Sequence, residues 1–125
     1  MENKKFDLVV IGGGPGGYVA AIRASQLKMK AAVIEESHLG GICLNWGCIP
    51  TKALLKSGEV KQLLDHVEDY GFNKVDASFD FAKIIARSRS VSSKLSQGIG
   101  HLMKKHKVTV FNARGKLNGD RKSVV

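Results

Sequence analysis

The run Gly12-Gly13-Gly14-Pro15-Gly16-Gly17 follows directly on a short apolar segment, Phe6 to Ile11, and leads directly into small and apolar residues from Tyr18 to Leu27. Few arrangements of a chain place so many glycines between two such segments. An apolar run ending in β-branched residues and stopped by glycine predicts a strand buried on both faces. Val19, Ala20, Ala21, Ile22, Ala24 and Leu27 suit a helix packed closely on a sheet. A second strand is predicted over Ala31 to Ile34, ending in Glu35 and Glu36. Strand, glycine turn, helix and strand within about 30 residues form a βαβ unit, with parallel strands and a right-handed crossover. The chain is therefore expected to be α/β.

Gly12, Gly14 and Gly17 stand at G-x-G-x-x-G spacing on the strand-to-helix turn. The first permits the tight turn, the second lets the backbone approach a pyrophosphate, and the third lets the helix lie close to the strand. The phosphate then rests on free N–H groups at the positive end of the helix that starts near Pro15, with Gly16 in its first turn. No basic side chain is required there. Glu35 comes 18 residues after Gly17, where a carboxylate can accept hydrogen bonds from both ribose hydroxyls. Glu36 is a second candidate contact; side-chain alternation points it elsewhere, and a plain surface charge is its other reading. A glycine spacing alone equally suits a structural turn. The strand before it, the helix after it and the acid beyond make dinucleotide binding the reading, with FAD and NAD both open on these residues.

Further along, Pro50 suits the first turn of a helix through Thr51 to Leu55. Another helix is expected over Glu59 to Tyr70, ending at Gly71. From Phe81 to Met103 the period is helical: Phe81, Ile84, Ile85, Val91, Leu95, Ile99, Leu102 and Met103 share about 120° of arc, with Lys83, Arg87, Lys94 and Lys105 opposite. Gly98 and Gly100 are candidates to bend or loosen this helix. Val108 to Phe111 reads as a strand, and Arg114 to Leu117 with Ser123 to Val125 as the start of another pairing. A strand begun at the chain end and not completed leads us to expect a truncated domain.

The net charge of +9 is unevenly spread: residues 81–125 hold 11 Lys/Arg against the single acid Asp120, whereas residues 1–80 hold 9 Lys/Arg against 10 Asp/Glu. A basic excess attracts polyanions whatever the fold. The helical period assigns much of it instead to one solvated helix face and a chain end. Phe111 is the only aromatic residue after Phe81, which leaves little for stacking bases. No run approaches the roughly 18 to 20 apolar residues of a membrane span, and the start MENKKFD leads into a strand rather than a signal-peptide core. A cytoplasmic protein with neither nucleic-acid nor membrane partner is expected.

The two cysteines lie in Gly40 to Lys52, the most informative segment. In a regular helix Cys43 and Cys48 would point about 140° apart, with Cα atoms about 7.5 Å apart along the axis, whereas a disulfide needs about 4.4–6.8 Å. A bridge therefore requires an irregular backbone, which Gly47 and Pro50 permit over residues 37–50. A loop beside a helix N-terminus also stabilises a thiolate and makes a disulfide easy to reduce. A redox-active dithiol is thus favoured, with two unlinked buried thiols or half of a zinc site as other readings. Zinc is weak: none of His38, His66, His101 and His106 stands at a regular ligand spacing from the thiols, and no metal is expected.

The run Cys43-Leu44-Asn45-Trp46-Gly47-Cys48-Ile49-Pro50-Thr51-Lys52, preceded by Gly40-Gly41 and the N-terminal glycine loop, resembles the FAD-dependent pyridine nucleotide–disulfide oxidoreductases. Leu44 and Ile49 with the continuing Pro-Thr-Lys resemble the branch that oxidises dihydrolipoamide; glutathione and mercuric reductases typically carry Val at those places. The resemblance follows the element order along the whole chain, with specific motifs at 12–17 and 35–52.

It implies a Rossmann-like FAD-binding domain, a parallel sheet with helices, here incomplete: residues 1–125 would be its N-terminal portion, with the NAD-binding and dimerisation domains absent from this chain. FAD would contact Gly12, Gly14, Pro15, Gly16, Gly17, Glu35, Glu36, Gly41, Cys43, Lys52 and Gly115, the last through backbone groups that meet the adenine. By the same resemblance Cys43 and Cys48 form a redox-active disulfide, Cys43 exchanging with the lipoyl dithiol and Cys48 lying against the flavin as the charge-transfer thiolate. Lys52 would approach the flavin's reactive nitrogen; a surface lysine is its other reading. Electrons would pass from protein-bound dihydrolipoamide to the cysteine pair, then FAD, then NAD. The implied partners are lipoyl domains of 2-oxoacid dehydrogenase or glycine cleavage complexes, and a second subunit in a homodimer. Without the NAD site and the catalytic base, the 125-residue chain is expected to be inactive alone and to bind FAD poorly. The alternatives are a mercuric or glutathione-type reductase, a transhydrogenase-like flavoprotein, or a non-catalytic nucleotide- or polyanion-binding module.

Overall fold

A computed structural model describes residues 4–119 and the backbone of 123–124. The elements run β1 (Leu8–Ile11), α1 (Pro15–Gln26), β2 (Ala31–Glu35), α2 (Gly41–Asn45), α3 (Cys48–Asp65), a 3-10 turn (Val67–Tyr70), α4 (Phe81–Lys105), β3 (Thr109–Asn112), β4 (Lys116–Leu117) and β5 (Ser123–Val124). The first three strands form a parallel sheet in the order β1-β2-β3. Leu8 pairs with Ala31 and Ile11 with Ile34, while Ala32 pairs with Thr109 and Glu35 with Asn112. All three strands thus end on one edge, where β1 and β2 release the glycine loop and Glu35.

Full burial belongs to β2, whose Ala31, Ala32, Val33 and Ile34 are all buried. β1 was expected to be buried on both faces; it is an edge strand, half-buried, with Ile11 exposed. The core joins Ala21 and Ala24 of α1, Ala31 and Val33 of β2, Leu44 of α2, and Ile99, Met103 and Val108. The alanines keep α1 close to the sheet. Met103 fills the space beneath at 1% exposure, a burial that contributes about 1.5–3 kcal/mol.

Both long helices packed on this core end without glycine. Lys28 after α1 and Lys107 after α4 adopt positive φ, 69° and 55°, in the left-handed position that terminates helices. The Ser25 hydroxyl donates to the His106 carbonyl, tying the two helix ends together.

Three further expectations require correction. The segment 37–50 is not irregular throughout: it holds α2 and the start of α3, separated by Trp46 and Gly47. The two helices expected at 51–55 and 59–70 are mostly one, because α3 runs unbroken through Gly58 to Asp65; only the Val67–Tyr70 turn is separate, closed by Gly71 at φ 81°. A glycine in a helix interior costs only about 1 kcal/mol against alanine, and α3 packs along α4.

The third correction concerns α4. It starts at Phe81, capped by the Asp80 side chain, which accepts the Lys83 N–H at 3.1 Å, and it continues through Gly98 and Gly100 to Lys105. Its buried stripe is Ser88, Ser92, Ile99 and Met103, whereas Phe81 is exposed. The serines occupy the centre of the apolar arc because α4 crosses the thiol-bearing segment there, and small side chains admit close backbone approach. Arg87, assigned by its period to the outer face, donates to the Ala53 carbonyl of α3 at 3.0 Å.

β4 and β5 pair antiparallel, Lys116 with Val124 and Leu117 with Ser123, as the terminal pairing anticipated. Val125, the acid Asp120, the terminal residues Met1 to Asn3, and Arg121 and Lys122 of the basic tail lie outside the described residues. Among the described residues no helix is long and apolar enough to cross a membrane.

Candidate functional site

The glycine loop leaves β1 with Gly12 at φ +103°, its N–H donating to the Ile34 carbonyl at 2.8 Å and so extending the strand ladder by one residue. Gly17 lies directly beneath: a Cβ there would stand 1.9 Å from the Gly12 carbonyl oxygen. Only glycine allows α1 to start that close to the strand. Gly14 caps α1 with extended backbone and no side-chain hydrogen bond, and Pro15 opens the helix. The first-turn N–H groups of Gly16 and Gly17 have no acceptor within the helix, and a Cβ at Gly14 or Gly16 would meet nothing within 4 Å. An uncapped helix start with open space before it fits a pyrophosphate.

Glu35 does more than the sequence suggests. Its Oε2 accepts the Gly13 N–H at 2.7 Å and its Oε1 accepts the Ser37 N–H at 2.8 Å. The carboxylate therefore shapes the loop as well as facing the space beyond it, and with about four lone-pair positions it keeps capacity for a ribose hydroxyl. Glu35, Glu36, Gly12 and Gly115 come together with Arg114 around a cavity of about 170 Å³ at the strand ends. Gly115 sits against Ile34 there, an added Cβ lying 3.1 Å from Ile34 Cγ2. The Glu36 carboxylate stands 3.9 Å from Arg114 Nε, both side chains largely exposed. Gly13, Ser37 and Arg114 were missed in the sequence; none occupies a fingerprint position, although Arg114 lies beside Gly115.

The thiol segment is seated on this loop. The Gly40 N–H donates to the Gly13 carbonyl at 2.8 Å. Gly41, at φ +58°, lies so close that a Cβ would fall 2.8 Å from the Gly14 Cα. Cys43 follows in α2, and Cys48 is the first residue of α3. Between them Trp46 and Gly47 (φ −138° and −121°) interrupt the helix, which brings together side chains that a continuous helix would separate.

The covalent bridge implied by the resemblance is not formed in this structure: Cys43 is a half-buried free thiol and Cys48 an exposed one. Interaction with the Cys48 side chain, then desolvation, then the charge of Cys48, hold the Cys43 thiol above its ordinary range; the Cys48 main-chain N–H and the Lys52 ammonium pull the other way. Lys52 is exposed on α3 but within electrostatic reach of the pair. Cys48 stands at the N-terminus of an 18-residue helix. Trp46 and Ile42 are exposed beside the pair, and Trp46 meets His38 edge-on at 5.1 Å. Among the described residues no group of three or more His, Cys, Asp or Glu is placed to hold a metal. A cavity of about 750 Å³ between α3 and Ala77 to Arg87 shares no residue with the loop or the thiols.

This arrangement matches known proteins over nearly its whole length. The family model for pyridine nucleotide-disulphide oxidoreductases matches residues 6–124. The chain is 55% identical over 120 residues to the dihydrolipoyl dehydrogenase of Zymomonas mobilis, covering 96% of this chain and 26% of that protein. It is 50% identical over 123 residues to the dihydrolipoyl dehydrogenase of Rhizobium etli, covering 98% of this chain and 26% of that one. Among solved structures it resembles LpdA from Mycobacterium tuberculosis with a TM-score of 0.79 at 26% identity, over 90% of this chain and 25% of that one. The chain thus spans about a quarter of the length of these relatives.

Proposed function

The chain belongs to the pyridine nucleotide-disulphide oxidoreductase family, and on that premise we propose that it supplies the FAD cradle and redox thiol pair of an enzyme that reoxidises protein-bound dihydrolipoamide with NAD. In this reading residues 1–125 are the N-terminal portion of the FAD-binding domain, and the nicotinamide site and the dimer contacts belong to other parts of the complete homodimeric enzyme. Its substrates would be carried by lipoyl domains of 2-oxoacid dehydrogenase or glycine cleavage complexes, in the cytoplasm.

The observation that carries this reading is the seating of Gly41 on Gly14, which joins the thiol-bearing segment to the phosphate loop. A dinucleotide would be held by the Gly16 and Gly17 N–H groups and, at its adenosine end, by Glu35 and Gly115, with Cys43 and Cys48 on the segment seated against that loop. When bound, FAD supplies two-electron transfer between a dithiol and a nicotinamide. In the exchange, one sulfur of dihydrolipoamide attacks Cys43 Sγ of the oxidised pair, the Cys43–Cys48 bond breaks, and Cys48 leaves as a thiolate. The second lipoyl sulfur then displaces Cys43, so lipoamide departs oxidised and the protein keeps two electrons as a dithiol. Lys52 sets a positive charge beside the pair.

The test is Cys48→Ser in the flavin-loaded complete enzyme. Loss of the long-wavelength thiolate-to-flavin absorption with FAD retained supports the assignment; retention of the band reverses the two cysteine roles.

A further inference from the structure

Side chains of α4 bond to four main-chain carbonyls of the thiol segment. Ser96 Oγ donates to Leu39 O at 2.7 Å, Arg89 Nη1 to Asn45 O at 3.3 Å, Ser88 Oγ to Pro50 O at 3.4 Å and Arg87 Nη1 to Ala53 O at 3.0 Å. These carbonyls bracket both cysteines. The one between them, Asn45 O, lies at the end of α2, where the break at Trp46 and Gly47 removes the helical N–H that would otherwise serve it. Arg89 supplies that donor, its positive charge lying at the carbonyl end of α2. The Asn45 side chain pins the other end, its Nδ2 donating to Leu39 O at 3.1 Å and to Gly41 O at 2.9 Å. Asn45 is thus held from both sides, two residues after Cys43 and three before Cys48.

We propose that Arg89 is a positioning residue for the thiol pair: by holding the Asn45 carbonyl it fixes the break that sets Cys43 and Cys48 on adjoining helix ends, and so sets the equilibrium between dithiol and disulfide. Forming the bridge removes two electrons and two protons from the pair; they pass to an external disulfide, which becomes a dithiol. A pair held on adjoining helix ends closes more readily than one whose backbone is free, because part of the entropy of bringing the sulfurs together is already spent. Loss of the Arg89 contact therefore disfavours the bridge.

This inference rests on the pair being redox-active, and the experiment separates the two ideas. The full chain is equilibrated in buffers of oxidised and reduced lipoamide, and its free thiols are counted by alkylation, for wild type, Arg89→Met, Arg89→Lys and Lys94→Met. The last removes an exposed positive charge of the same helix. Arg89→Met is expected to lower the equilibrium constant for bridge formation at least tenfold, about 30 mV for a two-electron couple. Arg89→Lys should recover part of that loss, and Lys94→Met should stay within twofold of wild type. Urea unfolding of each variant separates a change in the equilibrium from a loss of fold; should Arg89→Met not fold, a loss in Arg89→Lys of threefold or more carries the proposal. Equal constants in wild type and the folded Arg89 variants would overturn the positioning role. A wild-type pair that forms no bridge at any lipoamide ratio would overturn the redox reading itself.

Discussion

The Glu35 carboxylate, at the end of β2, accepts the main-chain N–H of Gly13 at 2.7 Å through Oε2. The acid assigned to a ribose is therefore also a strut of the phosphate loop, with its other oxygen engaged by Ser37. Hydrogen bonds to a charged group contribute about 1.5–3 kcal/mol. Glu35→Ala is expected to destabilise the chain by about 2 kcal/mol in urea unfolding and to weaken FAD binding together with it. Glu35→Gln should fall between, since its amide oxygen can serve one N–H while its NH₂ meets the other donor.

The glycines of the fingerprint differ in what an added methyl meets. Gly17→Ala drives a Cβ into the Gly12 carbonyl, and the expected loss is more than about 3 kcal/mol, seen as a collapsed thermal midpoint, because backbone and not a flexible side chain must move. Gly14→Ala meets open space and should change stability by no more than about 1 kcal/mol. Its cost should appear in FAD titration, where the methyl stands in the approach of the pyrophosphate.

The reduced thiol pair has a predictable pH behaviour. Interaction with the Cys48 side chain holds Cys43 above the ordinary thiol range, so in the reduced chain Cys43 should react slowly with iodoacetamide at mildly alkaline pH. Cys48→Ala removes that interaction and should speed the reaction; Lys52→Met removes a positive charge and should slow it further. A raised folded value means that the neutral thiol is the stabilised form. Its contribution is present below the unfolded pKa and is lost as pH rises through the folded one, so the reduced chain should lose stability on the alkaline side. Mass-resolved alkylation rates across pH check both statements.

Among the described residues Ser92 Oγ is buried with no hydrogen-bond partner, whereas Ser88, one turn earlier, donates to the Pro50 carbonyl. Ser92→Ala should leave stability unchanged or raise it by about 1 kcal/mol, and Ser88→Ala should lower it by about 1 kcal/mol, since an unmade buried hydrogen bond costs more than one never required. Chemical denaturation of the two variants distinguishes them.

The 125 residues carry a single glycine fingerprint, so the purified chain is expected to produce no NADH from dihydrolipoamide and NAD. Steady turnover by the isolated chain would contradict the division of labour proposed above.

The βαβ unit, the glycine loop and Glu35 were legible in the sequence because their chemistry demands particular residue types at particular spacings. The thiol segment was legible as a motif but not as a shape. Gly47 announces an irregular backbone, but not that helix lies on both sides of it, since the carbonyls freed there are met by bonds from α4, dozens of residues away. α4 itself was misread in part for a related reason. Its serines were passed over as polar and Arg87 was assigned to the outer face by its period, yet main-chain carbonyls of the thiol segment and α3 are partners that periodicity does not register. Gly58 stayed helical because packing against α4 outweighs a weak local preference.

The contact between Gly41 and Gly14 joins two stretches of chain that local reading treats as separate motifs. Because backbone meets backbone there, with no side chain to yield, neither stretch can be altered alone: a change of path in one relocates the other. Any attempt to transplant the dithiol into another nucleotide-binding scaffold, or to exchange the phosphate loop for one from a different protein, must therefore move both as a single part.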